Sequence, residues 1–204
     1  MQKIYYESVG RIETEDETVF ETYLNKVNEQ RRKKVDACKQ KKDKMRSLMA
    51  GLLLRKALEN EGIDYEKAEF SVLESGKPYL VSHPDIHFSL SHAGDYVVCV
   101  VSDVPIGVDI ECKSKSLFKK ENAHRWNTVA KRCLAPLEWE RFSKSSVKQQ
   151  LFLEYWTKKE AYSKWIGKGL GMDFTTIDTE SQKTGFCTEW LDDEYCVSIY
   201  SKRK

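Results

Sequence analysis

Residues 106–111 read IGVDIE, and this stretch predicts how the chain is organised. Apolar residues alternate with a glycine or an acid, which is the two-residue period of a β-strand. Asp109 and Glu111 therefore project from one face of that strand and the apolar side chains from the other. Two carboxylates that face one point repel each other unless a cation or solvent screens them, and hard oxygen ligands suit Mg²⁺. The same alternation is ordinary on the solvated face of an antiparallel strand, so the pattern alone favours an exposed face over a metal site.

The strand follows a break at residues 103–105, DVP, which we take as the boundary between two similar halves, residues 1–103 and 104–204. Apolar residues spaced three to four apart predict a helix over residues 43–61, with Asp43 near its N-cap. Further helices are predicted over residues 15–28, 119–134, 136–142 and 147–166, and strands within residues 1–15 and over 69–73, 86–90, 96–102, 174–178, 185–190 and 195–200. The expected fold class is α+β, in which each half packs a short antiparallel sheet with a long helix.

The composition, with 40% hydrophobic and 32% charged residues among 204, is typical of an ordered globular protein. A net charge of +2 is too small for the whole molecule to attract polyanions, but residues 26–46 hold ten Lys or Arg against three acids, a surplus of seven positive charges. The longest apolar run, residues 96–101, is far shorter than the roughly 20 residues that a membrane span needs. The six cysteines have no C-x-x-C spacing. We expect a cytoplasmic protein with reduced thiols and no membrane association.

A second polar motif lies in the predicted helix 147–166, where residues 156–165 read WTKKEAYSKW. Glu160 and Lys164 are four residues apart and lie on one face of the helix. Such a helix can present a third carboxylate to a metal ion and an ammonium group to a phosphate. The alternative is a surface ion pair, which contributes about 0.3 to 0.5 kcal/mol.

Four segments together resemble a known family. In order along the chain, residues 75–79 (SGKPY), 88–95 (FSLSHAGD), 106–111 and 156–164 are similar to motifs of the 4′-phosphopantetheinyl transferases, in the larger, surfactin-synthetase-activating (Sfp-type) class. Arg31 and Lys34 before Arg46 resemble the basic residues that this class uses on coenzyme A. The resemblance implies two pseudo-symmetric α/β halves with coenzyme A bound at their interface.

The resemblance also implies the chemistry. Mg²⁺ would be held by Asp109, Glu111 and Glu160 and would bridge to the pyrophosphate of coenzyme A. A serine hydroxyl of an apo acyl or peptidyl carrier protein would attack the β-phosphate and release 3′,5′-ADP. Glu160 would act as general base or only as a metal ligand, and Lys164 would neutralise or protonate the departing phosphate.

Residues implied for coenzyme A come from both halves. Arg31, Lys34 and Arg46 would meet the 3′-phosphate, Lys77 and Pro78 would fix a loop over the adenine, and His92 would donate to a phosphate oxygen. The complete set is Arg31, Lys34, Arg46, Ser75, Gly76, Lys77, Pro78, Ser91, His92, Asp109, Glu160 and Lys164. For single members of the set, a solvated basic helix face, an ordinary hairpin turn and an exposed loop histidine remain open as alternatives.

Two other functions stay open at this stage. A magnesium-dependent phosphohydrolase or nucleotidyl transferase would use the same carboxylates but leaves residues 75–79 and 88–95 unexplained. A non-catalytic binding module for nucleic acid or an acidic partner would rest on residues 26–46, against which the modest net charge counts. We expect a monomer that binds coenzyme A and a carrier protein and no nucleic acid, with a docking face that includes Leu117, Phe118, Lys119 and Lys120.

Overall fold

Two three-stranded antiparallel sheets form the centre of the fold in the computed structural model, which describes residues 2–12, 17–114, 123–168, 171–181 and 184–202. The strands are β1 (Gln2–Ser8), β2 (Phe70–Val72), β3 (Pro78–Leu80), β4 (His87–Ala93), β5 (Tyr96–Ser102), β6 (Ile106–Cys112), β7 (Phe186–Leu191) and β8 (Tyr195–Ser201). The α-helices are α1 (Glu17–Leu24), α2 (Glu29–Ala37), α3 (Lys41–Asn60), α4 (Ala123–Cys133), α5 (Pro136–Lys144) and α6 (Lys148–Ile166). None of the helices in these ranges has the length and apolarity needed to cross a bilayer.

The two sheets share one topology. The first has the order β1-β5-β4 and the second the order β6-β8-β7, and all their pairings are antiparallel. In each sheet the strand that comes first in the sequence, β1 or β6, precedes the helices of its half. The strand that comes last in the sequence, β5 or β8, lies at the centre of the sheet and pairs with both neighbours. A separate hairpin, β2-β3, adds a two-stranded sheet to the first half. The predicted α+β class with two similar halves is confirmed.

Four layers stack through the molecule, in the order α3, first sheet, second sheet, α6. Apolar residues of β5 alternate between two cores: Val97 packs toward α3, whereas Val98 packs against the second sheet. On β6, Val108 belongs to the core between the sheets. The polar face of β6 therefore turns toward α6, which contacts β6 along its length. This arrangement brings the two sequence motifs, 106–111 and 156–165, together.

Three elements differ in type or in bounds from the predictions. The predicted strand 174–178 is wrong: Phe174–Thr176 is a 3₁₀ turn, because the Asp173 carboxylate accepts both the backbone N–H and the hydroxyl of Thr175. α3 begins at Lys41, two residues before the predicted start, with Gln40 as its N-cap, so Asp43 lies in the first turn, near the N-cap as predicted. β4 continues to Ala93, so the predicted Ser91 and His92 lie in a strand and not in a loop. Part of the predicted helix 119–134 lies outside the described residues.

Gly107 sets how closely α6 approaches β6. A Cβ atom at this position would lie 2.0 Å from the Ala161 carbonyl oxygen and 2.5 Å from the Trp165 nitrogen. Since these are backbone atoms of a packed helix, they cannot rotate away. Gly107→Ala should therefore lower the free energy of unfolding by about 1 to 3 kcal/mol, measured by chemical denaturation. Gly171→Ala is the control, because an added Cβ there meets no atom of the described part of the chain within 4 Å. Equal stabilities of the two variants would contradict the close crossing.

Candidate functional site

A cavity of about 350 Å³ lies between the two halves. It is lined by the edge strand β4, by Arg31 and Lys34 of α2, by the turn between β2 and β3 and by the end of α6. Of the residues predicted to bind coenzyme A, it brings together Arg31, Lys34, Ser75, Gly76, Lys77, Pro78, Ser91, His92 and Lys164. Lining residues that the sequence analysis missed are Ala50, Phe88, Ser89, Leu90 and Gly167. The period-two pattern of β4 marks Phe88 and Leu90 as neighbours of His92 on one strand face.

A hydrogen-bonded group of Ser91, Asp109 and Lys164 joins β4, β6 and α6. The Lys164 ammonium donates to Asp109 Oδ1 at 2.8 Å and to Ser91 Oγ at 2.8 Å, and the Ser91 hydroxyl donates to Asp109 Oδ1 at 2.8 Å. Asp109 is only 5% exposed, so the exposed-face alternative for β6 is wrong. Lys164 pairs with Asp109 across the fold. The other oxygen, Asp109 Oδ2, is buried and has no hydrogen-bond partner among the residues that the structure describes.

Glu111 and Glu160 flank this group. Glu111 is 7% exposed, and its Oε1 accepts a hydrogen bond from the Trp156 indole N–H at 3.1 Å. Glu160 is half-buried on α6. The sequence analysis gave Trp156 no role, although Trp156, Glu160 and Lys164 recur every four residues and so share the helix face that covers β6.

The carboxylates can be tested for their fit to a metal ion. Within the described residues, no group of three or more His, Cys, Asp and Glu side chains converges closely enough to form a ready-made metal cluster. Mg²⁺ needs no such cluster, because it commonly takes one or two carboxylates and completes its shell with water and substrate phosphates. A buried carboxylate oxygen without a donor, Asp109 Oδ2, is a hard ligand that a cation would satisfy. The donor set therefore fits Mg²⁺, and the three-carboxylate site remains a prediction.

Positive charge is concentrated around the cavity, and neighbouring cations contribute to lowering the pKa of Lys34 and of His92. Burial lowers the pKa of Arg31. The aliphatic part of its side chain packs against Gly51, where an added Cβ atom would lie only 2.6 Å from Arg31 Cγ. Burial, and then repulsion by Arg31, lowers the pKa of Lys34. For His92, loss of hydration lowers the imidazole pKa first, followed by repulsion from Lys164, Arg46 and Arg31. Since a bound anion would relieve this repulsion, the electrostatics favour a polyanionic ligand.

Lys77 connects the two halves. From the β2-β3 turn its ammonium donates to the carbonyl oxygens of Ile106 at 3.2 Å and Trp165 at 3.3 Å, at the start of β6 and the end of α6. Burial lowers the pKa of Lys77 to about 8. The side chain therefore holds the turn against the second half and adds charge to the cavity.

Arg46 lies apart from Arg31 and Lys34, at a second cavity of about 400 Å³. The second cavity is lined by Asp43, Arg46, His92, Ala93, Gly94, Glu111, Cys112 and Ser114. Arg46 donates to Gly94 O at 3.1 Å and to Asp43 Oδ1 at 2.6 Å. His92 lines both cavities. The predicted docking residues Leu117, Phe118, Lys119 and Lys120 lie outside the described residues.

Comparison with known proteins identifies the family. Residues 105–204 match the 4′-phosphopantetheinyl transferase superfamily, and residues 14–104 match the family described as 4′-phosphopantetheinyl transferase, N-terminal. A 4′-phosphopantetheinyl transferase of Bacillus subtilis is 32% identical over 82% of this chain and 72% of its own length. The 4′-phosphopantetheinyl transferase Sfp of Bacillus subtilis (strain 168) is 28% identical over 95% of this chain and 83% of its own. The 4′-phosphopantetheinyl transferase gsp of Aneurinibacillus migulanus is 35% identical over 70% of this chain and 57% of its own. The chain therefore belongs to the 4′-phosphopantetheinyl transferase superfamily, in its Sfp-type class.

Proposed function

We propose that this enzyme, a 4′-phosphopantetheinyl transferase by family, takes the phosphopantetheine group from coenzyme A and transfers it to a serine hydroxyl of an apo acyl or peptidyl carrier protein. The other product is 3′,5′-ADP. The observation that supports this best is the cavity between the halves, where Arg31 and Lys34 of the first half and Lys164 of the second line one space. Phosphate groups at both ends of the nucleotide match this distribution of positive charge.

The donor would lie along β4. Arg31 and Lys34 would bind the 3′-phosphate, and the turn at residues 75–78 would cover the adenine. His92 and Lys164 would meet the pyrophosphate, where the carboxylate of Asp109 holds the ammonium at 2.8 Å. Because the Lys164 ammonium is already fixed by two bonds, it needs little reordering when the donor binds.

The transfer forms a bond between the serine oxygen and the β-phosphorus and breaks the bond from that phosphorus to the bridging oxygen, which leaves with 3′,5′-ADP. We assign Glu160 as the group that receives the serine proton and Lys164 as the cation that neutralises the departing phosphate. Mg²⁺ held by Asp109, Glu111 and Glu160 would add positive charge at the pyrophosphate. Trp156 would orient Glu111 through its indole N–H.

One chain is sufficient in this proposal, because both halves that line the cavity belong to the same molecule. We propose a monomer that works in the cytoplasm, with residues 1–103 supplying the nucleotide contacts and residues 104–204 the metal and catalytic groups. All six cysteines are free thiols. Size-exclusion chromatography with light scattering would measure the oligomeric state directly.

The proposed reaction is tested by incubating the enzyme with coenzyme A, Mg²⁺ and several apo carrier proteins. We expect the carrier to gain the mass of one phosphopantetheine and 3′,5′-ADP to appear in equal amount. A carrier whose serine is replaced by alanine is the control and should gain nothing. No mass gain on any carrier, or cleavage of coenzyme A without a carrier product, would overturn the proposal in favour of a phosphohydrolase.

Donor binding should weaken at alkaline pH because of Lys77. Its pKa of about 8 means that the ammonium is charged below that pH and loses its charge, and its attraction for phosphate, as the pH rises through it. The Kd for coenzyme A, measured by calorimetry, should therefore rise between about pH 7 and about pH 9. The nearby His87 has a lowered pKa, mainly through burial, and stays neutral across this range. Lys77→Arg stays charged and should flatten the curve; an unchanged curve in that variant would contradict the role of Lys77.

A further inference from the structure

Four lysines lie at the junction of α2 and α3: Lys39, Lys41, Lys42 and Lys44. We call them the junction lysines. Lys39, Lys41 and Lys42 are exposed and Lys44 is partly exposed. In the part of the chain that the structure describes, no carboxylate lies within ion-pair distance of any of the four ammonium groups. They differ in this from Lys33, which pairs with Glu29 at 2.7 Å.

Their position is unfavourable for the stability of α3. The N-terminus of a helix carries a partial positive charge, so cations in the first turn are repelled where acids would be favourable. The N-cap Gln40 makes no capping hydrogen bond, and the one acid of the first turn, Asp43, is engaged by Arg46 at 2.6 Å. The helix thus begins with uncompensated positive charge. A surface charge that weakens its own helix points to a role outside the fold.

The second cavity is lined by two residues of the first turns of α3, the part of the helix where the junction lysines lie. Asp43 and Arg46, from the same turns of α3, line that cavity, and so does Glu111 of β6. His92 lines it together with the first cavity, where Lys164 lies. If the donor fills the first cavity, the second cavity gives an acceptor hydroxyl a separate approach to the hydrogen-bonded group of Ser91, Asp109 and Lys164. The lysines stand at the start of α3, beside this approach.

We infer that the junction lysines form a docking surface for the acceptor, and that this acceptor is a carrier domain with Asp and Glu side chains around its serine. The inference rests on the proposed function and extends it by naming the charge of the partner. Charge complementarity is the reason: four unpaired ammonium groups attract an acidic surface during the encounter. Charges at the rim of an interface act mainly on the association rate and on its dependence on salt.

The test compares two variants that each remove two positive charges. Lys41→Gln/Lys42→Gln changes the docking surface. Lys67→Gln/Lys202→Gln is the control of equal charge. Lys67 follows the far end of α3, a 20-residue helix about 30 Å long, and its pair with Asp64 at 2.7 Å lies in solvent, where such pairs contribute little. Lys202 follows β8 at the end of the second sheet opposite to Cys112. Steady-state transfer to an acidic carrier is measured at low and high salt, together with the Kd for coenzyme A and the melting temperature.

We expect the docking variant to lose about tenfold in kcat/KM for the carrier at low salt, with a flatter salt dependence and an unchanged Kd for coenzyme A. Its melting temperature should stay the same or rise, because repulsion at the start of α3 is removed. The control variant should behave as the wild type, and a carrier with its flanking acids changed to amides should abolish the difference between all three proteins.

Three results would overturn the inference. Equal losses in both variants would mean that total charge, not this surface, attracts the carrier. A loss accompanied by a lower melting temperature or weaker coenzyme A binding would mean that the lysines act through the fold or the donor site. Full activity of the docking variant at low salt would show that the carrier docks elsewhere. A wild-type enzyme that modifies no carrier would overturn the proposed function itself, which is a different outcome.

Discussion

Asp109→Asn should reduce phosphopantetheine transfer on the order of a thousandfold while the fold remains intact. The substitution keeps an oxygen that can accept from Lys164 and Ser91, as Oδ1 does at 2.8 Å from each. It replaces the buried Oδ2 with an amide that donates, and it removes the negative charge that pairs with Lys164. The loss would therefore be assigned to the carboxylate's charge and its second oxygen, and not to the hydrogen bonds that hold β4, β6 and α6 together. Transfer is measured by mass spectrometry at several Mg²⁺ concentrations.

Glu160→Gln and Ser91→Ala complete this comparison. Glu160→Gln removes the proposed proton acceptor and should be as inactive as Asp109→Asn. Ser91→Ala removes one hydrogen bond to Asp109 Oδ1 and leaves Oδ2 in place, so a loss of about tenfold or less is expected. Thermal melting shows that each variant is folded. Near-normal activity in Asp109→Asn or Glu160→Gln would remove the mechanism, and equal losses in all three would assign the effect to the hydrogen-bonded group as a whole.

The sequence predicts the face of a strand more easily than what covers it. Alternation in residues 106–111 places Asp109 and Glu111 together, but burial of that face depends on α6. This helix begins at Lys148, 36 residues after β6 ends at Cys112. Because that contact is non-local, the two-residue period of the strand does not predict it. Gly107 is the residue of the strand that indicates a close neighbour, since only a glycine permits the approach of Ala161 at this point.

Basic residues show the same limit. A surplus of charge over residues 26–46 predicts an anion site near α2, and Arg31 and Lys34 do line the first cavity. Arg46 carries the same charge but faces the second cavity, because α3 turns its side chain toward Gly94 and Asp43. Sequence spacing does not separate these two groups, since the direction of each side chain is fixed by tertiary packing. Charge alone predicts the region of a site and not its members.

A lysine next to Glu160 in a helix rich in charged residues is usually solvated, so the sequence does not predict a buried role for Lys159. In the structure it is fully buried, at 0% exposure, and pairs with Glu138, also at 0%, at 2.7 Å. Its ammonium also donates to the carbonyl oxygens of Phe174 and Ile177. Glu138 in turn accepts from Thr179 and from the backbone of Ala135. This network ties α6 to α5 and to the 3₁₀ turn.

Lys159→Met should lower the free energy of unfolding by about 3 to 5 kcal/mol, because it leaves the buried Glu138 carboxylate without its cation. Chemical denaturation measures the change. The control is Lys144→Met, which breaks an ion pair of similar length, 2.6 Å, with Glu140 on the same helix as Glu138 but in solvent, and should change stability far less. Lys159→Met/Glu138→Gln, which also removes the orphaned charge, should recover part of the loss. If the single variant is as stable as Lys144→Met, the ion pair does not hold α6 against α5, and α6 must be positioned by its packing on β6 and β8.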